Sequence, residues 1–140
     1  MTKRILVADD HASVRRSMRM LITQRKDWQV CAEADDGVDA VAKAKSMSPD
    51  VVVLDIAMGG LNGVEAAEEI RARCPGTLVL TTSMYDAVPL FPRLHTIGVK
   101  GFISKNNLVT DLLPAIDAAL SGGSWYPAEQ QSWWSARLRS

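Results

Sequence analysis

Four apolar residues in succession, Val51-Val52-Val53-Leu54, end on an acid, Asp55, and lead into Ile56-Ala57-Met58-Gly59-Gly60-Leu61-Asn62-Gly63. Short β-branched runs bounded by turn residues read as buried strands. The one comparable run near the N-terminus, Ile5-Leu6-Val7-Ala8, also ends on acids, Asp9-Asp10. In an open parallel sheet the strand C-termini line one shared crevice. Three carboxylates are therefore expected at one sheet edge, where they repel unless something positive sits between them. The usual solution is a hard divalent cation on oxygen ligands. Asp55 would then accept a group at a metal-assisted site.

The rest of the chain alternates strand and helix signals. Ile5–Asp10 predicts a first strand, and Val14, Met18, Leu21 and Ile22 a first helix ending near Arg25-Lys26-Asp27. Trp28–Ala34 is a second strand, turned by Asp35-Asp36-Gly37. Val38, Val41 and Ala44 mark a second helix, stopped before Ser48-Pro49-Asp50. Val51–Asp55 is the central strand. Val64, Ala67 and Ile70 form one face of a third helix, which ends at Cys74-Pro75-Gly76, and Asn62-Gly63 reads as the turn before it. Thr77–Thr82 is the fourth strand. The segment from Asp86 to His95 predicts a short or irregular fourth helix, because Pro89 and Pro92 fit only its opening positions. Lys100–Ser104 is the fifth strand. Leu108, Leu112, Leu113, Ile116, Ala119 and Leu120 make a fifth helix, stopped by Gly122-Gly123, in which Pro114 predicts a kink or a late start. Five strands alternating with five helices argue for an α/β, doubly wound parallel sheet. The flavodoxin-like order 2-1-3-4-5 places strands one and three side by side at the switch point.

Sixteen basic and sixteen acidic side chains balance in the 140 residues, so the totals point to neither nucleic acid nor membrane. No apolar stretch is long enough to span a bilayer, and the N-terminus lacks a signal-peptide pattern. Cys31 and Cys74 form no metal-ligand spacing and read as reduced thiols filling space.

Ser83 follows the fourth expected strand and Lys105 the fifth. An acidic pair, a central Asp, a hydroxyl and a lysine on one sheet edge resemble the receiver domain of two-component response regulators, over Arg4 to about Gly122. The opening Asp9-Asp10-His11-Ala12-Ser13-Val14-Arg15 and the late Gly98-Val99-Lys100-Gly101-Phe102-Ile103-Ser104-Lys105 look most like the LuxR/NarL type. The resemblance implies that Asp55 is the phospho-acceptor. Asp10, with Asp9 assisting, would hold Mg²⁺ together with Asp55 and the Ala57 carbonyl. Lys105 would pair with the Asp55 carboxylate and then with the phosphoryl group. Ser83 would bind a phosphoryl oxygen, Phe102 would be the aromatic switch residue, and Ala57 and Tyr85 would tune dephosphorylation. It also implies a cytoplasmic switch rather than a turnover enzyme. Its partners would be a sensor histidine kinase and, on phosphorylation, a second copy. DNA would be reached only through an output domain. Residues 1–122 are expected to be the receiver, and 123–140 a linker or tail of the kind that precedes a helix-turn-helix, which this chain is too short to contain.

Some residues depart from the family pattern. Gly59-Gly60 stands where the family often has proline after Met58, which implies a looser loop. Asn106 replaces a frequent proline, so no cis peptide is expected there. Neither Ala57 nor Tyr85 is acidic, and Ala57 cannot orient a water, so a long-lived phosphoaspartate is expected. Trp133-Trp134 on a polar tail fits docking on this domain or a second copy, or equally an end left exposed by truncation.

Singly, each site residue has an ordinary reading: Asp9 and Asp10 as helix caps, Ser83 as a local backbone cap, Lys105 as a surface residue. His11 is expected to be exposed at a helix start, with no catalytic role. Arg15, Arg16 and Arg19 give the first helix a basic outer face, suited to an acidic kinase surface or simply to water. A haloacid-dehalogenase phosphotransferase would need an acid at Ala57. A flavin binder would need a hydroxyl- and glycine-rich loop where Asp9-Asp10 would repel phosphate. The alternative that remains is a phosphorylation-independent pseudo-receiver that only pairs with partners.

Overall fold

Strands β1 (Lys3–Ala8), β2 (Trp28–Ala34), β3 (Val51–Asp55), β4 (Leu78–Ser83) and β5 (Gly101–Ser104) lie parallel in the order β2-β1-β3-β4-β5. Helices α1 (Ala12–Ile22), α2 (Gly37–Met47), α3 (Gly63–Arg73) and α4 (Phe91–Ile97) connect them, and α5 (Leu108–Leu120) follows β5. The structure is a computed structural model and describes residues 2–58, 62–85 and 87–126. The flavodoxin-like order expected from the sequence is the one found.

Two cores lie on the two faces of the sheet. Leu6, Ala8, Val52, Leu54 and Val79 pack under α2, α3 and α4. Ile5, Val7, Val51, Val53, Leu80 and Ile103 pack under α1 and α5. The alternation follows the two-residue period of a strand. Helices on both sides leave all five residues of β3 buried, which is why that strand reads as an unbroken apolar run.

Most expected elements stand, and the differences have local causes. β1 starts at Lys3 and stops at Ala8, two residues before the expected Asp10. Polar Lys3 and Arg4 belong to it because their backbones pair with Trp28 and Gln29, and the Arg4 amide donates to Asp50 Oδ2 at 2.8 Å. Beyond Ala8 the chain turns, because Asp9 Oδ1 captures the His11 amide at 2.8 Å. α1 ends at Ile22, short of Arg25-Lys26-Asp27; the Arg25 guanidinium instead pairs with Asp117 at 2.7 Å and lies 4.5 Å over the Trp28 ring. In α2 the buried face is Gly37, Ala40 and Ala44, and Val38 is exposed. Asn62-Gly63 is no free turn: Asn62 caps α3, accepting from the Glu65 amide at 2.9 Å.

The fourth connection is irregular as expected. A 3-10 turn, Val88–Leu90, precedes a seven-residue α4, and Pro89 and Pro92 each occupy an opening position. α5 starts at Leu108 and holds Pro114 inside it, so the proline does not delay the start. The Gly122 and Gly123 amides cap the Ala119 and Ala118 carbonyls at its end. Cys31 and Cys74 are partly buried against the α2–α3–α4 core. Among the described residues there is no cis peptide bond, and no helix is long and apolar enough to cross a membrane. The expectations for the Gly59-Gly60 loop and for Trp133-Trp134 fall outside the described residues.

Candidate functional site

The strand period decides which acid faces Asp55. β1 and β3 pair Ile5 with Val51 and Val7 with Val53. Two residues further, Asp9 and Asp55 continue the same face, toward α1 and α5. Both are buried. Lys105, just past β5, reaches between them: its Nζ lies 2.7 Å from Asp9 Oδ2 and 2.9 Å from Asp55 Oδ2. The lysine side chain is only 6% exposed, so this is an ion triad shielded from solvent. The other Asp55 oxygen, Oδ1, accepts the Ala57 amide at 2.9 Å. Burial lowers the Lys105 pKa, but hydrogen bonds and charge from Asp9 and Asp55 outweigh it and raise it above 10.5.

Asp10 is more exposed than Asp9. Its carboxylate is 39% exposed and its Oδ1 lies 2.9 Å from His11 Nδ1. Of the two acids, Asp9 is the buried one and the one that contacts Lys105. His11 is exposed and is the N-terminal cap of α1, without a side-chain capping bond.

Asp9, Asp10 and His11 each offer a ligand atom within 4.8 Å of the others. Asp9 Oδ2 is buried, and beyond the Lys105 ammonium at 2.7 Å it has no partner among the described residues. Carboxylate oxygens with unused lone pairs fit a hard divalent cation.

Ser83 closes β4 beside Ser104 of β5. It is buried, and its Oγ accepts the Tyr85 amide at 3.0 Å, the local cap its type favours. Tyr85 and Ala57 lie on the outer side of the site, with Tyr85 76% exposed. Phe102 is buried, its ring 5.4 Å from that of Phe91 in α4.

Four further features carry no local sequence signal. Gly63 opens α3 directly against the end of β3: a Cβ there would meet Ile56 Cα at 2.2 Å and the Asp55 carbonyl oxygen at 2.3 Å. Thr82 pairs in register with Asp55, and its Oγ1 is buried without a partner among the described residues. Arg15 donates from Nη1 to the Asp9 carbonyl at 2.6 Å and from Nε to Glu33 at 3.0 Å. Arg19 takes the other Glu33 oxygen, and hydrogen bonds from Arg19 and then Arg15 hold that carboxyl below its usual range. Much of the basic face of α1 is therefore committed within the domain. The fourth feature is the segment after α5: residue 125 forms a bridge with Gly101.

A buried aspartate at the end of β3, a lysine from β5 and an acidic turn after β1, on a sheet of order 2-1-3-4-5, define a receiver-type site. The chain belongs to the response regulator receiver domain family, whose model matches residues 5–117. It is 34% identical over 119 residues to a transcriptional regulatory protein, YxjL, of Bacillus subtilis (strain 168), covering 85% of this chain and 55% of that one. It is also 34% identical over 123 residues to the oxygen regulatory protein NreC of Staphylococcus epidermidis (strain ATCC 35984), covering 87% and 56%. The chain thus spans about half the length of the curated relatives it matches. Among solved structures, a LuxR-family two-component response regulator from Aurantimonas sp. SI85-9A1 superposes with a TM-score of 0.87 at 30% identity, covering 99% of each chain. The signal receiver domain of the putative response regulator NarL from Mycobacterium tuberculosis gives 0.81 at 30% identity, covering 86% of this chain and 98% of that one. The family and the LuxR/NarL type are those the sequence resembles.

Proposed function

We propose that this domain is a phospho-acceptor switch in which Asp55 receives a phosphoryl group from a sensor histidine kinase. The observation that carries the reading is the Lys105 ammonium, shared by buried Asp9 and Asp55 at 2.7 and 2.9 Å. A carboxylate and a phosphoryl group repel, so transfer needs an in-line nucleophile and positive charge on the equatorial oxygens. The Asp55 carboxylate forms the new P–O bond as the P–N bond to the kinase histidine breaks, leaving an acyl phosphate. Lys105 pairs with the carboxylate before transfer and with a phosphoryl oxygen after it. Ser83 turns from the Tyr85 amide to donate to another phosphoryl oxygen. Asp9, Asp10, Asp55 and the Ala57 carbonyl would hold Mg²⁺, which when bound offsets the negative charge gathered at the phosphoryl group. The added charge biases an existing equilibrium of the loop after β4 and of α4, and Phe102 follows that shift.

In this reading the domain is a switch rather than a turnover enzyme, acting in the cytoplasm. A second copy is its partner when phosphorylated, and an output domain carries its effect to DNA. The names of the relatives, which are transcriptional regulators, support that output. Neither Ala57 nor Tyr85 is acidic, and Ala57 has no side chain able to orient a hydrolytic water, so the phosphoaspartate is long-lived.

Loading with acetyl phosphate and Mg²⁺, followed by gel filtration and a time course of intact mass, tests both parts. The expected record is one added phosphoryl group that persists for hours, and loading that falls on the order of 100-fold in EDTA. Loss within minutes contradicts the proposed lifetime, and undiminished loading in EDTA contradicts the metal's role. No loading at all favours the phosphorylation-independent pseudo-receiver.

A further inference from the structure

The chain does not leave the sheet when α5 ends. It turns at Gly122 and Gly123 and lays a short extended segment along the outer edge of β5. The Trp125 amide donates to the Lys100 carbonyl at 2.8 Å, and the Phe102 amide donates to the Trp125 carbonyl at 2.9 Å. The bridge to Gly101 is parallel, like the rest of the sheet. A Cβ at residue 101 would stand 2.3 Å from the Trp125 carbonyl oxygen, so only glycine admits this approach.

Successive residues of an extended segment point to opposite faces, and here they grip both. Trp125 packs with the α1–α5 core. Tyr126 packs with the α2–α3–α4 core, its ring 5.0 Å from Phe91 and its hydroxyl donating to the Val99 carbonyl at 3.0 Å. Burial pushes that phenol up to about 12, so it stays a neutral donor. Phe91 in turn meets Phe102 at 5.4 Å. One row of three rings thus runs from β5 through α4 to the segment. The Phe102 backbone is also the donor that holds the segment in place. One docking group is left unsatisfied: Trp125 Nε1 is buried without a partner among the described residues. A buried orphan donor weakens the seated state, which suits a contact that must release.

We propose that Ser124–Tyr126 is a strap, seated on β5 and α4 while Asp55 is unmodified and released when phosphorylation shifts α4. The inference rests on the proposed phospho-acceptor role of Asp55. The route is short: Thr81 pairs with Phe102 and Ser83 with Ser104 across the same two strands. A movement of Ser83 and α4 displaces Phe91, and with it the ring that seats Tyr126. The strap is thereby the element through which the aspartate's state reaches the chain that follows.

The test is backbone-amide hydrogen exchange in the 140-residue protein, with acetyl phosphate and Mg²⁺, and intact mass read on the same sample. The Phe102 and Trp125 amides should exchange roughly tenfold faster or more in the phosphorylated fraction. Unchanged exchange in fully phosphorylated protein overturns the strap alone; absence of phosphorylation overturns it together with the role of Asp55. Coupling is reciprocal in binding, so Tyr126→Ala should tighten beryllofluoride affinity in Mg²⁺ by a similar factor. A purely structural contact would lower thermal stability and leave that affinity unchanged, and that result also refutes the proposal.

Discussion

Lys105→Met is expected to destabilise the domain by about 3–5 kcal/mol in Mg²⁺-free buffer, because it leaves two buried carboxylates facing each other with no charge between them. Asp9 and Asp55 are both buried, and each has an oxygen within 3 Å of the lysine nitrogen. A cost of that size lowers the melting temperature by roughly 10 °C in a domain of this length. Added Mg²⁺ should recover part of the loss, since a divalent cation on the same oxygens replaces the missing charge, while phosphoryl transfer stays slow. The effect has a definite pH sense. The folded pKa of Lys105 is raised above 10.5, so the pairing's stabilisation is fully present below pH 10.5 and fades as pH rises through the higher folded value. Thermal melts of both proteins should differ at neutral pH and converge only in strong alkali. An unchanged melting temperature in EDTA at pH 7 would show that the triad carries no stabilising charge pairing.

Gly63→Ala is expected to be the most damaging single-methyl change in the acceptor region. The added carbon would lie 2.2 Å from Ile56 Cα and 2.3 Å from the Asp55 carbonyl oxygen, both backbone atoms that cannot rotate away. Either the start of α3 lifts off or the end of β3 moves. Overpacking of this kind costs about 1–3 kcal/mol and can exceed it, and contact with backbone places Gly63 at the upper end. The Asp55 carboxylate would lose its alignment with Lys105 and with the Ala57 amide, so phosphorylation should slow as well as stability fall. Denaturant unfolding and acetyl phosphate loading would report the two effects. Wild-type values for both would mean that α3 can retreat freely from β3.

The sequence made the sheet legible because its strands are either unbroken apolar runs or bounded by strong turn signals. Trp28–Ala34 and Val51–Asp55 have the expected bounds. It also brought Asp9, Asp55 and Lys105 to one edge, since Asp9 and Lys105 directly follow strands and Asp55 ends one. Less legible was the division between Asp9 and Asp10. Adjacent acids look alike until the end of β1 and its pairing with β3 decide which one continues the inward face. Polar Lys3 and Arg4 concealed the start of β1, because its register with Trp28 and Gln29 is set by backbone groups that side-chain polarity does not report. Val38 misled because α2 buries small residues, Ala40 and Ala44, close against the sheet. Gly101 and the Trp125–Tyr126 segment depend on stretches far apart in sequence coming within van der Waals distance, and Gly63 on how closely α3 starts against Ile56; local patterns carry no record of either.

Locating the modified residue tests directly whether Asp55 is the phospho-acceptor. Protein loaded with acetyl phosphate and Mg²⁺ would be reduced with borohydride, which converts an aspartyl phosphate to the corresponding alcohol, and its peptides mapped by mass. One reduced residue, Asp55, is expected, and no reaction in Asp55→Asn. A phosphoryl group that maps to another residue, or that persists in Asp55→Asn, would contradict that role.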